Sequence, residues 1–513
     1  MFEAAELGRS IGKSDFNTQV LTLRAQLLQA QFALSKTNTS VVILISGVDV
    51  AGRGEVVNIL NEWLDARGLE TFSFDRNSDE TDERPAYWKY WRSLPNRGRI
   101  GIFFGAWYVD PIREMAYQNI NKAQMDEELN HIRRFESMLV DDDTLIIKVW
   151  LHLSGEQQMK RLKKMEKDPH TLRRVSKRDW KHVHLYQEFQ YAAERAIRHT
   201  DSGVAPWFLV EATDKRYRDL SVGHIVLDVI NQRLTSHLNE KIAADSKETT
   251  EQQTSLIENS MSNSLNNSPK ANLTVLDQID LNQKLEKSEY KRQLKKYQGK
   301  LNHLAWQAHK AKRSVVLVFE GSDAGGKGGN IRRITQAMDA RFYRVISTAA
   351  PTDEERAHHY LWRFWRHIPL AGNVTIYDRS WYGRVLVERI EGFAKEEEWK
   401  RAFLEINNFE EQLVDHGTLV LKFWLHISPE EQLARFKARE VIAHKQHKIT
   451  DEDWRNRERW DDYSLAVNDM VAHTSTHFAP WTLVAGNDKK FARIQVLKTV
   501  CHHLENLLKK DKK

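Results

Sequence analysis

Hydrophobic positions in this chain come in short unbroken runs. Between the runs lie longer stretches in which apolar residues recur every three or four places. In the second half the runs are 315–319, Tyr343–Ser347, 374–377, Leu419–His426 and 482–485. Runs of this length, rich in Val, Ile and aromatic residues, read as buried strands, and the intervening stretches read as helices. The alternation predicts an α/β fold, a parallel sheet with helices on both faces. Sheets of this kind take ligands at the carboxyl ends of their strands. Two features stand at such ends: a glycine-rich turn after 315–319, and Asp378 after 374–377.

The pattern occurs twice. Gly47-Val48-Asp49-Val50-Ala51-Gly52-Arg53-Gly54 follows the run 41–45, and Gly321-Ser322-Asp323-Ala324-Gly325-Gly326-Lys327-Gly328 follows 274 positions later. The same offset pairs Trp88-Lys89-Tyr90-Trp91-Arg92 with Trp362-Arg363-Phe364-Trp365-Arg366, Trp107-Tyr108 with Trp381-Tyr382, and Phe135-Glu136 with Phe409-Glu410. It also pairs Lys148-Val149-Trp150-Leu151-His152 with Lys422-Phe423-Trp424-Leu425-His426, and Ala205-Pro206-Trp207 with Ala479-Pro480-Trp481. One register held this far is a tandem duplication of a domain of about 230 residues. The expected division is a first domain at 1–240, a linker at 241–275 and a second domain at 276–513. The stretch 243–272 is crowded with Ser, Asn, Gln, Thr and Glu and reads as a flexible connection. After it, Tyr297, Leu301, Leu304 and Ala308 recur at helical spacing, which predicts one buried helix face.

Composition narrows the classes. A chain of 513 residues with 41% hydrophobic positions has material for two cores. A net charge of +6 is too mild for a polycation that coats nucleic acid, so no nucleic-acid partner is expected; the small excess favours anionic ligands. The single cysteine, Cys501, excludes an intrachain disulfide and a cysteine-based zinc site. The 21 histidines include His444 and His447, but that pair lacks the complement a metal site needs. No apolar run approaches the roughly 20 residues that span a bilayer, and the N-terminus lacks the basic-then-apolar signature of a signal peptide. The expectation is a cytoplasmic protein with no membrane partner; homo-oligomerisation is left open.

The second glycine turn carries the spacing G-x4-GK of a P-loop, with strand before it and helix after it. Gly321, Gly325, Gly326 and Gly328 let the backbone approach phosphate closely. Lys327 would face phosphate oxygens, where one charge pair at about 4 Å is worth about 4 kcal/mol at intermediate dielectric. The Ser or Thr that commonly follows the lysine and ligates magnesium is Gly328 here, so carboxylates, water and phosphate would have to hold the ion. Asp378, ending a strand beside the P-loop strand, is the Walker B arrangement. Arg379 and Arg384 offer two-pronged donors for phosphate. Asp323, inside the loop, would contact magnesium or orient the acceptor oxygen. Further on, Ser428-Pro429-Glu430-Glu431 is a helix start, followed by Arg435, Lys437 and Arg439, and a second start at Thr450 precedes Arg455, Arg457 and Arg459. A basic helical hairpin over a P-loop reads as a lid. The aromatic set Trp362, Phe364 and Trp365 reads as core, with base stacking as the other reading.

In combination, 321–329, 377–384, Pro351-Thr352, Trp362-Arg363-Phe364-Trp365, Trp460-Asp461-Asp462-Tyr463 and Ala479-Pro480-Trp481 resemble the polyphosphate kinase 2 family. The fused pair is similar to its two-domain subgroup. The resemblance covers the second half fully and the first more loosely. It implies a P-loop kinase fold with a helical lid, and phosphoryl transfer from inorganic polyphosphate to AMP, giving ADP, with magnesium as cofactor. It assigns the work to Asp323, Lys327, Asp378, Arg379 and Arg384, the metal to Asp323 and Asp378, and contacts along the polyphosphate chain to Asn330, Arg332 and Arg333. Glu388 is a further contact to metal or acceptor. A polyphosphate-dependent nucleoside diphosphate kinase and an ATP-dependent nucleoside monophosphate kinase are the competing enzymes; Gly328 counts against the latter.

The first half departs from this pattern. At the 274 offset Lys327 becomes Arg53, Asp378 becomes Phe104, Arg379 becomes Gly105 and Ser380 becomes Ala106. One active site is expected, in the second half. The first half, with Arg84, Lys89, Arg92 and the basic stretch 160–164, is left with anion binding or a packing and assembly role.

Overall fold

The computed structural model of the protein describes residues 1–74, 83–169, 175–254, 274–441 and 451–510. These form two compact units, one built mainly from each half of the chain; residues 83–88 group with the second unit and 356–359 with the first.

The first unit holds five strands: β1 (Ser40–Gly47), β2 (Leu69–Ser73), β3 (Ile100–Phe104), β4 (Thr144–His152) and β5 (Trp207–Glu211). Their order is β2-β3-β1-β4-β5, and every pairing is parallel. The second unit repeats this with β6 (Val315–Gly321), β7 (Tyr343–Ser347), β8 (Val374–Asp378), β9 (Leu419–His426) and β10 (Trp481–Ala485), ordered β7-β8-β6-β9-β10. All five strands expected for this half are present. The apolar runs are continuous because both sheet faces are covered: Val41 to Ile45 are each at most 1% exposed. Alternate residues of β1 share one core with Leu27, Leu60 and Val226 from the helices Lys13–Leu34, Arg53–Trp63 and Lys215–Thr254. In the second unit Leu301, Leu304 and Ala308 of Lys287–Lys310 pack into the corresponding core, and Tyr297 lies against it.

The repeated tryptophan, tyrosine, glutamate and lysine positions are a buried polar knot present in both units. Lys422 Nζ donates to Glu410 Oε2 at 2.7 Å, Tyr382 Oη at 2.8 Å and Thr474 O at 2.6 Å. Glu410 Oε1 in turn accepts from Trp381 Nε1 at 3.1 Å and Tyr382 Oη at 2.8 Å. Lys148, Glu136, Tyr108, Trp107 and Thr200 make the same set. A buried ion pair survives only when its remaining donors and acceptors are satisfied, which ties the Lys, Glu, Tyr and Trp side chains together, with the threonine contributing its backbone carbonyl. Trp362, Phe364 and Trp365 are buried in the second unit, so they are core.

One boundary differs from expectation. The helix Lys215–Thr254 continues through 241–254, the first part of the stretch read as linker. Glu, Lys, Gln and Ala are good helix formers, so polarity alone does not end a helix; the rest of that stretch, 255–273, lies outside the described residues. No described helix is long and apolar enough to cross a membrane.

Candidate active site

The central strand β6 has β8 on one side and β9 on the other, so the crevice at its carboxyl end is where a ligand is expected. The parallel register sets Phe319 beside Asp378, which brings the end of β8 next to the start of the glycine loop. Ala324 at φ 61° and Gly326 at φ +108° place left-handed residues in the turn. Alternating backbone of this kind turns successive N–H groups inward, the geometry that cups an anion. Lys327 opens the helix Lys327–Thr335, and its Nζ caps the loop by donating to Gly321 O at 2.6 Å.

Within this loop Asp323 is clasped from two sides. Arg379 Nη2 donates to its Oδ1 at 3.1 Å, and Asn456 Nδ2 donates to its Oδ2 at 2.9 Å. Arg379 itself sits at φ 63°, uncommon for a residue with a side chain. Its N–H donates to Phe319 O at 3.1 Å, and Thr348 Oγ1 donates to its carbonyl at 2.8 Å. Backbone strain of about 1–3 kcal/mol held this firmly clusters at functional sites. Glu320, one residue before the loop, is buried and accepts from Ser380 Oγ at 2.8 Å. Burial pushes its carboxyl above the ordinary range, against the opposing charges of Lys327 and Arg379.

Two cavities flank the loop. The front one, ≈ 750 Å³, is lined by Asp323, Arg379, Leu386, Trp424, Trp460 and Tyr463 among others, so it joins an apolar aromatic wall to a charged corner. The back one, ≈ 900 Å³, is lined by Gly325, Gly326, Asn330, Arg439, Lys489 and Arg493, with Arg435. It is basic and opens on the amino end of the helix that Lys327 starts. Asp323, Arg379 and Gly321 therefore meet at the front, while Gly325, Gly326, Asn330 and Arg439 meet at the back.

Other expected residues fall elsewhere. Arg435, expected in the lid, is engaged with backbone carbonyls. It is buried, and its guanidinium donates to Ala324 O (2.9 Å), Gly325 O (3.2 Å), Gly486 O (2.6 Å) and Asn487 O (2.9 Å), with Glu431 at 2.6 Å. All its donors are used as a brace under the loop. Lys437, two positions on, is turned about 200° away around the helix and is exposed. Arg384 is held by Glu388 at 2.9 Å and lies off both cavity linings; the same pair occupies Glu388. Arg332 is exposed and Arg333 is half-buried beside Gly329 O; neither lines the back cavity. The two helices expected there are Pro429–Val441 and Asp451–Glu458; residues 442–450, with His444, His447 and Thr450, lie outside the described residues.

For magnesium the two expected carboxylates differ. Asp378, among the described residues, has no side-chain partner, and a Cβ on Gly328 would lie 4.0 Å from its Oδ2. A hard cation needs such unengaged carboxylate oxygens and keeps several waters besides. Asp323 accepts one nitrogen donor on each oxygen, which leaves a lone pair on both. Among the described residues no group of three or more His, Cys, Asp or Glu assembles into a cage.

Glu320, Asn456 and Arg493 were not read from the sequence. Glu320 had a signal: a carboxylate ending an otherwise apolar strand. Arg493 had a weaker one, since its partner at the 274 offset is the acidic Asp219. Asn456 had none; it reaches Asp323 only through the packing of the hairpin.

The first unit keeps the loop but not the charged residues at the end of the neighbouring strand. Phe104 stands opposite Ile45 where Asp378 stands in the second unit, followed by Gly105 and Ala106. Arg53 Nη2 is tied to Asp49 Oδ1 at 2.8 Å, and its guanidinium lies 5.6 Å from the Phe104 ring centroid.

The family model for polyphosphate kinase 2 matches residues 10–237 and again 284–512. A polyphosphate:AMP phosphotransferase of Pseudomonas aeruginosa is 48% identical over 513 residues, covering 100% of both chains. One of Pseudomonas syringae pv. tomato is 43% identical over 514 residues, again covering 100% of both. A crystal structure from Pseudomonas aeruginosa PA01, assigned to polyphosphate kinase 2, superposes with TM-score 0.85 at 46% identity, covering 99% of this chain and 100% of that one. With both halves matched and relatives aligned end to end, the chain belongs to the polyphosphate kinase 2 family, whose domain it carries twice.

Proposed function

We propose that the protein transfers a phosphoryl group from inorganic polyphosphate to AMP, forming ADP, and does so in its second unit. The observation that carries the reading is the pair of cavities meeting at one phosphate loop. The back cavity is a basic trough that fits a polyanion, and the front cavity offers aromatic surface for a base beside a charged corner for its phosphate. Relatives aligned over their full length bear the name polyphosphate:AMP phosphotransferase.

In this reading polyphosphate lies from Arg493, Lys489 and Arg439 towards the loop N–H groups and Lys327. AMP lies in front, with its phosphate near Arg379. An oxygen of the AMP phosphate attacks the terminal phosphorus, the bridging P–O bond breaks, and the shortened chain leaves with the electron pair. Alignment and charge neutralisation supply most of the catalysis in such transfers. Asp323, fixed by Arg379 and Asn456, holds the arginine at the acceptor. Asp378 would hold magnesium, which neutralises charge on the phosphates when bound. A cytoplasmic setting belongs to the same proposal; neither nucleic acid nor membrane enters it.

The test is a donor and acceptor panel on the purified chain: polyphosphate or ATP as donor, AMP or ADP as acceptor, with magnesium. ADP formed from polyphosphate and AMP supports the reading. Product from ATP alone, or from ADP but not AMP, overturns it.

A further inference from the structure

The first unit also has a cavity at its loop, ≈ 830 Å³, lined at the positions that line the front cavity of the second. Gly47, Asp49, Trp150 and Gln158 keep the residue types of Gly321, Asp323, Trp424 and Gln432; Tyr186 and Phe189 stand at the places of Trp460 and Tyr463. The loop backbone is kept too. Gly47, Val50 and Gly52 have φ of 142°, 55° and 92°, against 152°, 61° and 108° for Gly321, Ala324 and Gly326. A β-branched residue such as Val50 takes a positive φ only at a conformational cost, so the surrounding fold holds the cupped shape without catalysis to require it.

The back side is different. A Cβ on Gly52 would lie 1.7 Å from Arg218 Nη1, whereas a Cβ on Gly326 would meet nothing closer than 3.9 Å. Arg218 is buried and fills the space behind the loop, donating to Ala51 O at 3.0 Å, Glu55 at 2.9 Å and Asp219 at 2.7 Å. At the 274 offset Arg218, Glu55 and Asp219 stand for Ala492, Gly329 and Arg493, and Asn330 and Arg439 become Val56 and Met165. The basic trough has become a plug with two carboxylates beside it. Lys215 and Arg161 keep the cations of Lys489 and Arg435, but Arg218 takes the space behind Gly52 that a polyphosphate chain would need.

The front cavity remains polar at its floor. Ser46 Oγ, Trp150 Nε1 and Gln158 Oε1 are buried and, among the described residues, have no hydrogen-bond partner. Buried polar groups left this way call for an explanation. Arg53 and His182 on its lining are tied to Asp49, and Arg113 to Asp110 and Glu114, so Arg178 is the lining cation for which the structure shows no ion pair among the described residues.

We propose that this cavity binds a nucleoside monophosphate without reacting it: a second, non-catalytic nucleotide site that senses the acceptor. The phosphate would meet the kept loop and Arg178, and the base the wall of Tyr186 and Phe189. The proposal rests on the reading of the second unit's front cavity as the acceptor site. The two are separated by counting AMP bound per chain, by equilibrium dialysis of the full chain without polyphosphate. Two AMP per chain are expected. Val109→Trp, which fills the first cavity where the second has Gly383, and Arg178→Glu, at an exposed position that leaves packing alone, each reduce the count to one or weaken one site at least tenfold. Leu386→Trp removes the other. A single AMP lost only in Leu386→Trp overturns the proposal and leaves the acceptor reading standing; no AMP bound at all overturns both.

Discussion

Arg379 Nη2 lies 3.1 Å from Asp323 Oδ1, whereas in the first unit the same aspartate position, Asp49, is held by Arg53 from within the loop. The charge on the loop cation is thereby left to phosphate in one unit and consumed by a carboxylate in the other. Lys327 has no carboxylate partner among the described residues and donates only to loop carbonyls. This exchange of partners, more than the presence of glycines, distinguishes the two loops.

The buried knot around Lys422 predicts a stability effect separable from catalysis. Lys422→Met leaves Glu410 buried without its cation, which is expected to cost about 3–5 kcal/mol. Denaturant unfolding should show the loss in the transition of the second unit; an unchanged midpoint would mean the knot is replaceable.

Arg435 and Lys437 test the reassignment of the hairpin. Arg435→Ala leaves loop carbonyls without their donor and should lower stability by about 1–3 kcal/mol and turnover with it. Lys437→Ala, at an exposed position, should stay within about 0.5 kcal/mol of the parent. Thermal melts and initial rates on both variants check this; equal losses would restore a lid role for both cations.

Glu320 predicts a pH dependence of stability. Its folded carboxyl titrates above its unfolded value because burial disfavours the charge. As pH rises through the unfolded value, the unfolded chain sheds its proton first, so this residue subtracts stability until the folded carboxyl also ionises. Glu320→Gln, which can still accept from Ser380, should therefore raise Tm at pH 8, with the gain shrinking towards pH 4. A gain that grows towards acid pH would contradict the assignment.

Most of the frame was legible because strands buried on both faces leave continuous apolar runs, and because two copies in one register expose which positions are fixed. Asp323, Lys327, Asp378 and Arg379 were legible from strand ends and loop spacing. The place of Arg435 was not legible, because a basic residue on a helix beside a phosphate loop has the same signature whether it faces ligand or braces carbonyls; only burial separates the two. Asn456 was invisible because it meets Asp323 across 133 positions through tertiary packing alone. Arg218 was overlooked for a related reason: a plug is visible only once the space it fills is known.

The central claim is that two phosphate loops make one active site. The most direct measurement is the initial rate of ADP formation from polyphosphate and AMP by the full chain carrying Lys327→Ala, with the first loop untouched. A loss of about 10²–10³-fold is predicted, the scale on which removal of one preorganised electrostatic group acts. A rate within about tenfold of the parent would contradict the account, by placing the chemistry at the first loop or away from both.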